Sequence, residues 1–211
     1  MHEEVIISGF GGQGALFAGQ LMTHAGLREG RHVTWIPSYG PEMRGGTAHC
    51  TVIISDEQIG SPIIRNPTVA VVLNPPSMDK YEPLVRPGGV LVVNSSLVQR
   101  PATRDDITVV EVPANELALE MGNLKMANVV ALGALLATQE VVSLEAVEHS
   151  LDESVPDERR HIIEPNKKAL RRGAAYARQN GATAPRPTKL LESASLSRRP
   201  AVAGIAYSTT S

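Results

Sequence analysis

Cysteine is nearly absent: Cys50 is the only one in 211 residues. No internal disulfide is possible, and no iron–sulfur cluster can be ligated by this chain's cysteines alone. That composition fits a reducing cytoplasm. Aromatic residues are also scarce, with one Trp and two Phe, too few for a platform on which nucleobases stack. Neither sign of charge dominates. The 20 Lys and Arg stand against 22 Asp and Glu, for a net charge of -2, so there is no basic field to attract nucleic acid. Long apolar runs are missing too. The longest, Ala127–Thr138, is shorter than the roughly 20 residues that span a bilayer. The acidic start Met1-His2-Glu3-Glu4 runs directly into a strand pattern, which is not that of a signal peptide. A cytoplasmic protein is expected, with no nucleic-acid or membrane partner and no metal site of its own.

Glycine and proline are plentiful, at 18 and 15 residues, and they cluster. The apolar run Val5-Ile6-Ile7 is followed by Gly9-Phe10-Gly11-Gly12-Gln13-Gly14, then by Leu16, Phe17 and Leu21 at helical spacing. Strand, glycine turn and helix together make an anion site. Glycine brings the backbone close to a ligand, and the free N–H groups and positive end of the helix face a negative group. Gly9-x-Gly11-x-x-Gly14 also satisfies the dinucleotide fingerprint, but that motif wants an acid at the end of the second strand. Trp35-Ile36-Pro37-Ser38 supplies none, which counts against an NAD site. Tight strand–helix packing explains one or two of these glycines. It leaves the polar Gln13 unexplained.

The remaining pattern gives further elements. The expected strands are Arg31–Ile36, Ala48–Ser55, Thr68–Leu73, Val90–Asn94 and Ile107–Val112. The expected helices are Gln13–Glu29, Ser77–Arg86, Ala114–Glu120, Asn128–Thr138, Ser143–Ser154 and Asn166–Gln179. Ser143 suits a helix cap, and Pro165 a helix start. The fold class is α/β: a Rossmann-like, mainly parallel sheet flanked by helices, with a helical C-terminal part. Residues 1–180 form one domain, and 181–211, rich in Ser, Thr, Pro, Ala and Arg, form a flexible or partner-bound tail.

A second loop, Ser38-Tyr39-Gly40-Pro41-Glu42-Met43-Arg44-Gly45-Gly46-Thr47, leaves the carboxyl end of strand two. In an α/β sheet that end shares a rim with the glycine turn, where ligands bind. Arg44 can hold a phosphate or carboxylate with two hydrogen bonds, and Glu42 can steady it. Asn128 is open to two readings, a helix cap or a ligand or partner contact. His49 and Cys50 lie on a strand as packing residues. Arg159-Arg160, Lys167-Lys168 and Arg171-Arg172 suit a solvated helix face, or alternatively a dock for an acidic partner.

At its two loops the chain resembles a known family, the gamma subunits of the 2-oxoacid:ferredoxin oxidoreductases. The resemblance rests on Gly9–Gly14 and Ser38–Gly46. It continues through Val52–Asp56, Leu73-Asn74, Asp79-Lys80-Tyr81 and Asn128–Gly133, and reaches Asn166–Tyr176. The Ser-Tyr-Gly-Pro-Glu form is most similar to the 2-oxoglutarate branch; the pyruvate, branched-chain and indolepyruvate branches are alternatives. One departure is Asn74-Pro75-Pro76, where relatives carry Gln after the Asn.

The resemblance implies a reaction shared among chains: 2-oxoglutarate, CoA and oxidised ferredoxin give succinyl-CoA, CO2 and reduced ferredoxin. Thiamine diphosphate, Mg and the Fe–S clusters would lie in companion alpha and beta subunits, with or without a ferredoxin-like delta subunit. This chain would hold no catalytic residue. It would help bind CoA and close the site, through Gly9, Gly11, Gly12, Gln13, Gly14, Ser38, Tyr39, Gly40, Glu42, Arg44, Gly45, Gly46 and Asn128. The alternatives are a free-standing Rossmann-type nucleotide-binding enzyme and a pure interaction scaffold.

Overall fold

The computed structural model describes residues 1–38 and 47–182. Six strands, β1 (His2–Phe10), β2 (His32–Ser38), β3 (Thr47–Ser55), β4 (Val69–Val72), β5 (Val90–Asn94) and β6 (Thr108–Val112), form one sheet in the order β2-β3-β1-β4-β5-β6. The helices are α1 (Ala15–Arg28), α2 (Pro75–Tyr81), α3 (Ala114–Glu120), α4 (Ala127–Thr138), α5 (Leu144–Ser154) and α6 (Ile163–Asn180). The α/β class and the helical C-terminal part are as expected.

The sheet is mixed. β1, β4, β5 and β6 pair in parallel, while β3 runs antiparallel between β1 and β2. Parallel neighbours need a crossover of about a dozen residues or more. Only residues 39–46 separate β2 from β3, so the chain doubles back. β2 also runs through Pro37 to Ser38, two residues beyond its expected end. It is the outermost strand, where a proline's missing N–H interrupts no ladder on the free side.

β4 and β5 are buried along their whole length, as continuous apolar runs in a sheet covered on both faces should be. Alternation sorts the side chains: Val5, Ile7, Val71 and Val92 face the layer of α1, α3, α4, α5 and α6. Ile6, Ala70, Val72 and Leu91 face α2. Ser143 caps α5 as expected, its hydroxyl accepting from Ala146 N at 3.1 Å. α6 begins three residues before its expected start and holds Pro165 in its first turn, where the N–H has no helical partner to lose. α1 starts two residues late because Gln13 and Gly14 are used in the turn before it.

A buried carboxylate pins the connector between β5 and β6. Glu82 is 2% exposed. It accepts from Arg100 Nη1 at 2.7 Å, Thr103 N at 2.5 Å and Thr103 Oγ1 at 3.0 Å. Burial alone would raise its carboxyl pKa; the bonds from Arg100 and Thr103 reverse that and hold it below the ordinary range. The depressed value means that the contribution is present above the unfolded carboxylate range of about 4.3 and is lost as pH falls through the folded value. Glu82→Ala is expected to cost about 2 kcal/mol at pH 7, because the Thr103 amide and hydroxyl lose their acceptor while Arg100 keeps only the Asp79 carboxylate. Denaturant titration at pH 7 and at pH 3 checks this; the gap between wild type and variant should shrink at the acid end.

Candidate functional site

The parallel strands end on one rim. β1 is followed by α1, which packs towards β2 and β3. β4 is followed by α2, on the opposite face. The chain therefore diverges between β1 and β4, and a crevice opens at such a divergence. The glycine turn sits on one side of it and Leu73-Asn74 on the other.

Gln13 joins the two sides. Its N donates to Phe10 O at 3.0 Å, closing the turn. Its side-chain Oε1 accepts from Phe10 N at 2.6 Å and from Asn74 Nδ2 at 3.2 Å, and its Nε2 donates to Leu73 O at 3.3 Å. The polar side chain that packing left unexplained is therefore a bolt that shapes the turn from both ends of its amide. Gly9 makes room for it: a Cβ there would lie 2.8 Å from Gln13 Oε1. Gly11 is exposed and has no positive φ. Gly12 (φ 96°) and Gly14 (φ 79°) take the left-handed conformation that only glycine adopts without strain. Asn74 caps α2, its Oδ1 accepting from Ser77 N at 2.9 Å. Pro75 and Pro76 follow in the first turn, where no N–H is needed. The departure from the family pattern at this point is thus compatible with a well-formed helix start.

Asn128 is not a cap. It is the second residue of α4, which continues a 3₁₀ turn, Leu124–Met126, and the cap is Asn123, whose Oδ1 accepts from Lys125 N at 3.0 Å. The Asn128 side chain reaches across to the glycine turn instead, its Nδ2 donating to Gly14 O at 2.9 Å. The residue is 3% exposed, and its Oδ1 is buried with no donor among the described residues. A buried acceptor without a donor costs roughly 1–3 kcal/mol, so the site favours a group that brings an N–H or O–H.

These residues line a cleft of about 360 Å³. Gly12, Gln13 and Asn128 are joined there by Asn94, Asn115, Asn123 and Lys125, and no carboxylate takes part among the described residues. Asn94 is fully engaged: Nδ2 donates to Leu73 O at 3.2 Å and to Asn115 Oδ1 at 3.1 Å, and Oδ1 accepts from Ala114 N at 3.2 Å. It holds the wall rather than facing a ligand. α1 begins beside the cleft with no side-chain cap and no acid in its first turn, leaving its positive end available to an anion. The sequence reading missed Asn94, Asn115, Asn123 and Lys125. Only Asn94 carried a signal, as the last residue of a parallel strand.

The second loop can be placed only by its ends. Phe10 pairs with Thr47, and Ser38 with His49. Ser38 therefore stands on the same rim as the glycine turn, two strands or about 10 Å across. Tyr39, Gly40, Glu42, Arg44, Gly45 and Gly46 lie outside the described residues. His49 and Cys50 are packing residues. The His49 ring lies 5.8 Å from the Tyr81 ring, and Cys50 is fully buried. Burial drives the Cys50 thiol up to about 12, against the opposing contacts of Trp35 and nearby backbone.

A family profile described as pyruvate ferredoxin/flavodoxin oxidoreductase matches residues 4–176. The chain belongs to this family. Among curated relatives, the 2-oxoglutarate synthase subunit KorC of Methanocaldococcus jannaschii is 36% identical over 85% of this chain and 96% of its own length. The ketoisovalerate oxidoreductase subunit VorA of Methanothermobacter marburgensis is 38% identical over 83% of this chain, which spans only 37% of that protein. The solved gamma subunit of a keto/oxoacid ferredoxin oxidoreductase from Geobacter sulfurreducens superposes with TM-score 0.71 at 35% identity, covering 84% of this chain and 99% of that one. The 2-oxoglutarate:ferredoxin oxidoreductase from Magnetococcus marinus, solved with 2-oxoglutarate, coenzyme A and succinyl-CoA, gives TM-score 0.77 at 22% identity, over 84% of this chain and 31% of its own; it shares the fold. The resemblance to gamma subunits of the oxidoreductase family is borne out. No helix among the described residues is long and apolar enough to cross a membrane.

Proposed function

We propose that this chain is the gamma subunit of a multi-subunit 2-oxoacid:ferredoxin oxidoreductase, and that it helps to bind CoA and to close a thiamine site held by alpha and beta subunits. One observation carries the reading: the left-handed glycine turn, the uncapped start of α1 and the Oδ1 of Asn128, without a donor among the described residues, lie in or beside a cleft that no carboxylate of the described residues lines. CoA fits those terms, since it brings phosphates for the helix start and amide and hydroxyl donors for Asn128. When bound, its thiol takes the acyl group of the reaction. The residues of this chain bind and orient it, and they move no proton. Thiamine diphosphate, Mg and the Fe–S clusters belong to the companion chains, and ferredoxin accepts the electrons.

The oxoacid is read as 2-oxoglutarate from the Ser38–Glu42 pattern. A branched-chain oxoacid is the second reading, favoured by the similar identity of VorA and KorC. A free-standing dinucleotide enzyme fits less well, because β3 separates β2 from β1 and carries the end of β2 away from the turn. Co-purification with thiamine and metal analysis tests the assembly. In the assembled enzyme, Gly12→Val and Arg44→Ala are each expected to raise the KM for CoA about tenfold, by forcing a branched residue into the left-handed region and by removing a phosphate donor. Unchanged CoA kinetics in both variants would remove the rim as the CoA site.

A further inference from the structure

Beside the cleft lies a second depression, of about 450 Å³, between the starts of α1 and α6. The two share Gly12, Asn123, Lys125 and Asn128, so they form one groove with Asn128 at the junction. The second depression has an apolar side of Phe17, Met126, Ile162 and Pro165. Its polar side holds Lys125, Arg159 and His161, and no carboxylate lines it among the described residues.

The basic clusters of the C-terminal part divide by their partners. Arg160 pairs with Asp157 at 2.6 Å, Lys167 with Asp152 at 2.7 Å, Arg171 with Glu148 at 2.6 Å and Arg172 with Glu120 at 3.4 Å. Each of these cations faces a carboxylate of the chain itself. Arg159 and Lys125 pair with no carboxylate among the described residues, and both border the groove. Arg159 follows two acids, Asp157 and Glu158, in the 3₁₀ turn Asp157–Ile162, yet it is its neighbour Arg160 that takes Asp157.

We propose that Lys125, Arg159 and His161 form a phosphate subsite that reads the phosphorylated nucleotide end of CoA, with the apolar wall against its heterocycle and Asn128 accepting a hydrogen bond where the two depressions meet. This rests on the reading of the cleft as a CoA site and adds to it which end of the ligand lies where. A guanidinium presents paired donors to phosphate oxygens, which an ammonium does not reproduce. Arg159 and Lys125 are exposed, so each contributes moderately.

The test is steady-state kinetics of the assembled enzyme with CoA and with dephospho-CoA, which lacks the 3′-phosphate but keeps the pyrophosphate. Arg159→Ala should raise the KM for CoA about tenfold with little change in kcat, Arg159→Lys should restore part of the loss, and Lys125→Ala should act in the same direction. If the KM for dephospho-CoA stays put, the subsite reads the 3′-phosphate; if it rises in parallel, the subsite reads the pyrophosphate. The wild-type KM should also climb with salt more steeply than that of Arg159→Ala. The subsite is overturned if both alanine variants leave the KM for CoA unchanged while Gly12→Val raises it. If Gly12→Val is also silent, the reading of the whole cleft fails with it.

Discussion

Replacing Gly173 by alanine should cost on the order of 4 kcal/mol or more, and by valine should leave no folded protein. Gly133 on α4 and Gly173 on α6 let the two helices approach until their backbones touch. A Cβ on Gly173 would run into the carbonyl oxygen of Val130, and one on Gly133 into that of Leu170. Neither obstacle is the movable end of a side chain, so the helices must separate. Val129, Leu132, Leu135 and Leu170, all buried at or near this contact, would lose packing along its length. Gly30→Ala is the contrasting case. It has φ 74° and nothing within 4 Å of an added Cβ, so only the backbone penalty of about 1–2 kcal/mol applies. Denaturant unfolding of the two alanine variants separates a steric requirement from a conformational one. Equal losses for Gly173→Ala and Gly30→Ala would show that α4 and α6 do not meet backbone to backbone.

Gly14→Ala should leave the sheet intact and raise the KM for CoA roughly 30- to 100-fold. Two effects act at one atom. The residue has φ 79°, where an added methyl is strained, and the methyl would lie 2.5 Å from Asn128 Nδ2. The turn must relax or Asn128 must leave, and either way the bond from Asn128 to Gly14 O is lost. Together these amount to about 2–3 kcal/mol, or the stated fold-change at 1.4 kcal/mol per tenfold, if the strain falls on the binding conformation. Asn128→Ala isolates the second effect and should give a smaller rise. The KM for CoA at saturating 2-oxoacid, with circular dichroism to confirm folding, is the measurement.

The fold was legible where one physical demand ruled a stretch. β4 and β5 are apolar on both faces because both faces are covered, and α5 announces itself through Ser143. The sequence was silent where the cause lay far along the chain. Gln13 reads as an odd polar residue in a turn until Leu73 and Asn74, about 60 positions on, close upon it. Gly173 reads as a weak spot inside a helix until Val130 is seen against it. The reversal of β3 was implicit in the short link before it, but a β-rich run carries no direction of its own. The glycine turn and Asn128 were both picked out as site residues, the first on its anion-binding geometry; the bond between them was not foreseen. Asn115 and Asn123 are ordinary loop and helix residues in sequence and gain meaning only beside Asn94 and Lys125.

Hydrogen exchange of the assembled enzyme, with and without CoA, bears most directly on the claim that two loops on one rim receive the carrier. Binding of CoA, confirmed in the same samples, should slow exchange at the amides of residues 11–17 and 39–46 while leaving the opposite end of the sheet, around residues 86–89, unchanged. Bound CoA with no change in either loop would contradict it.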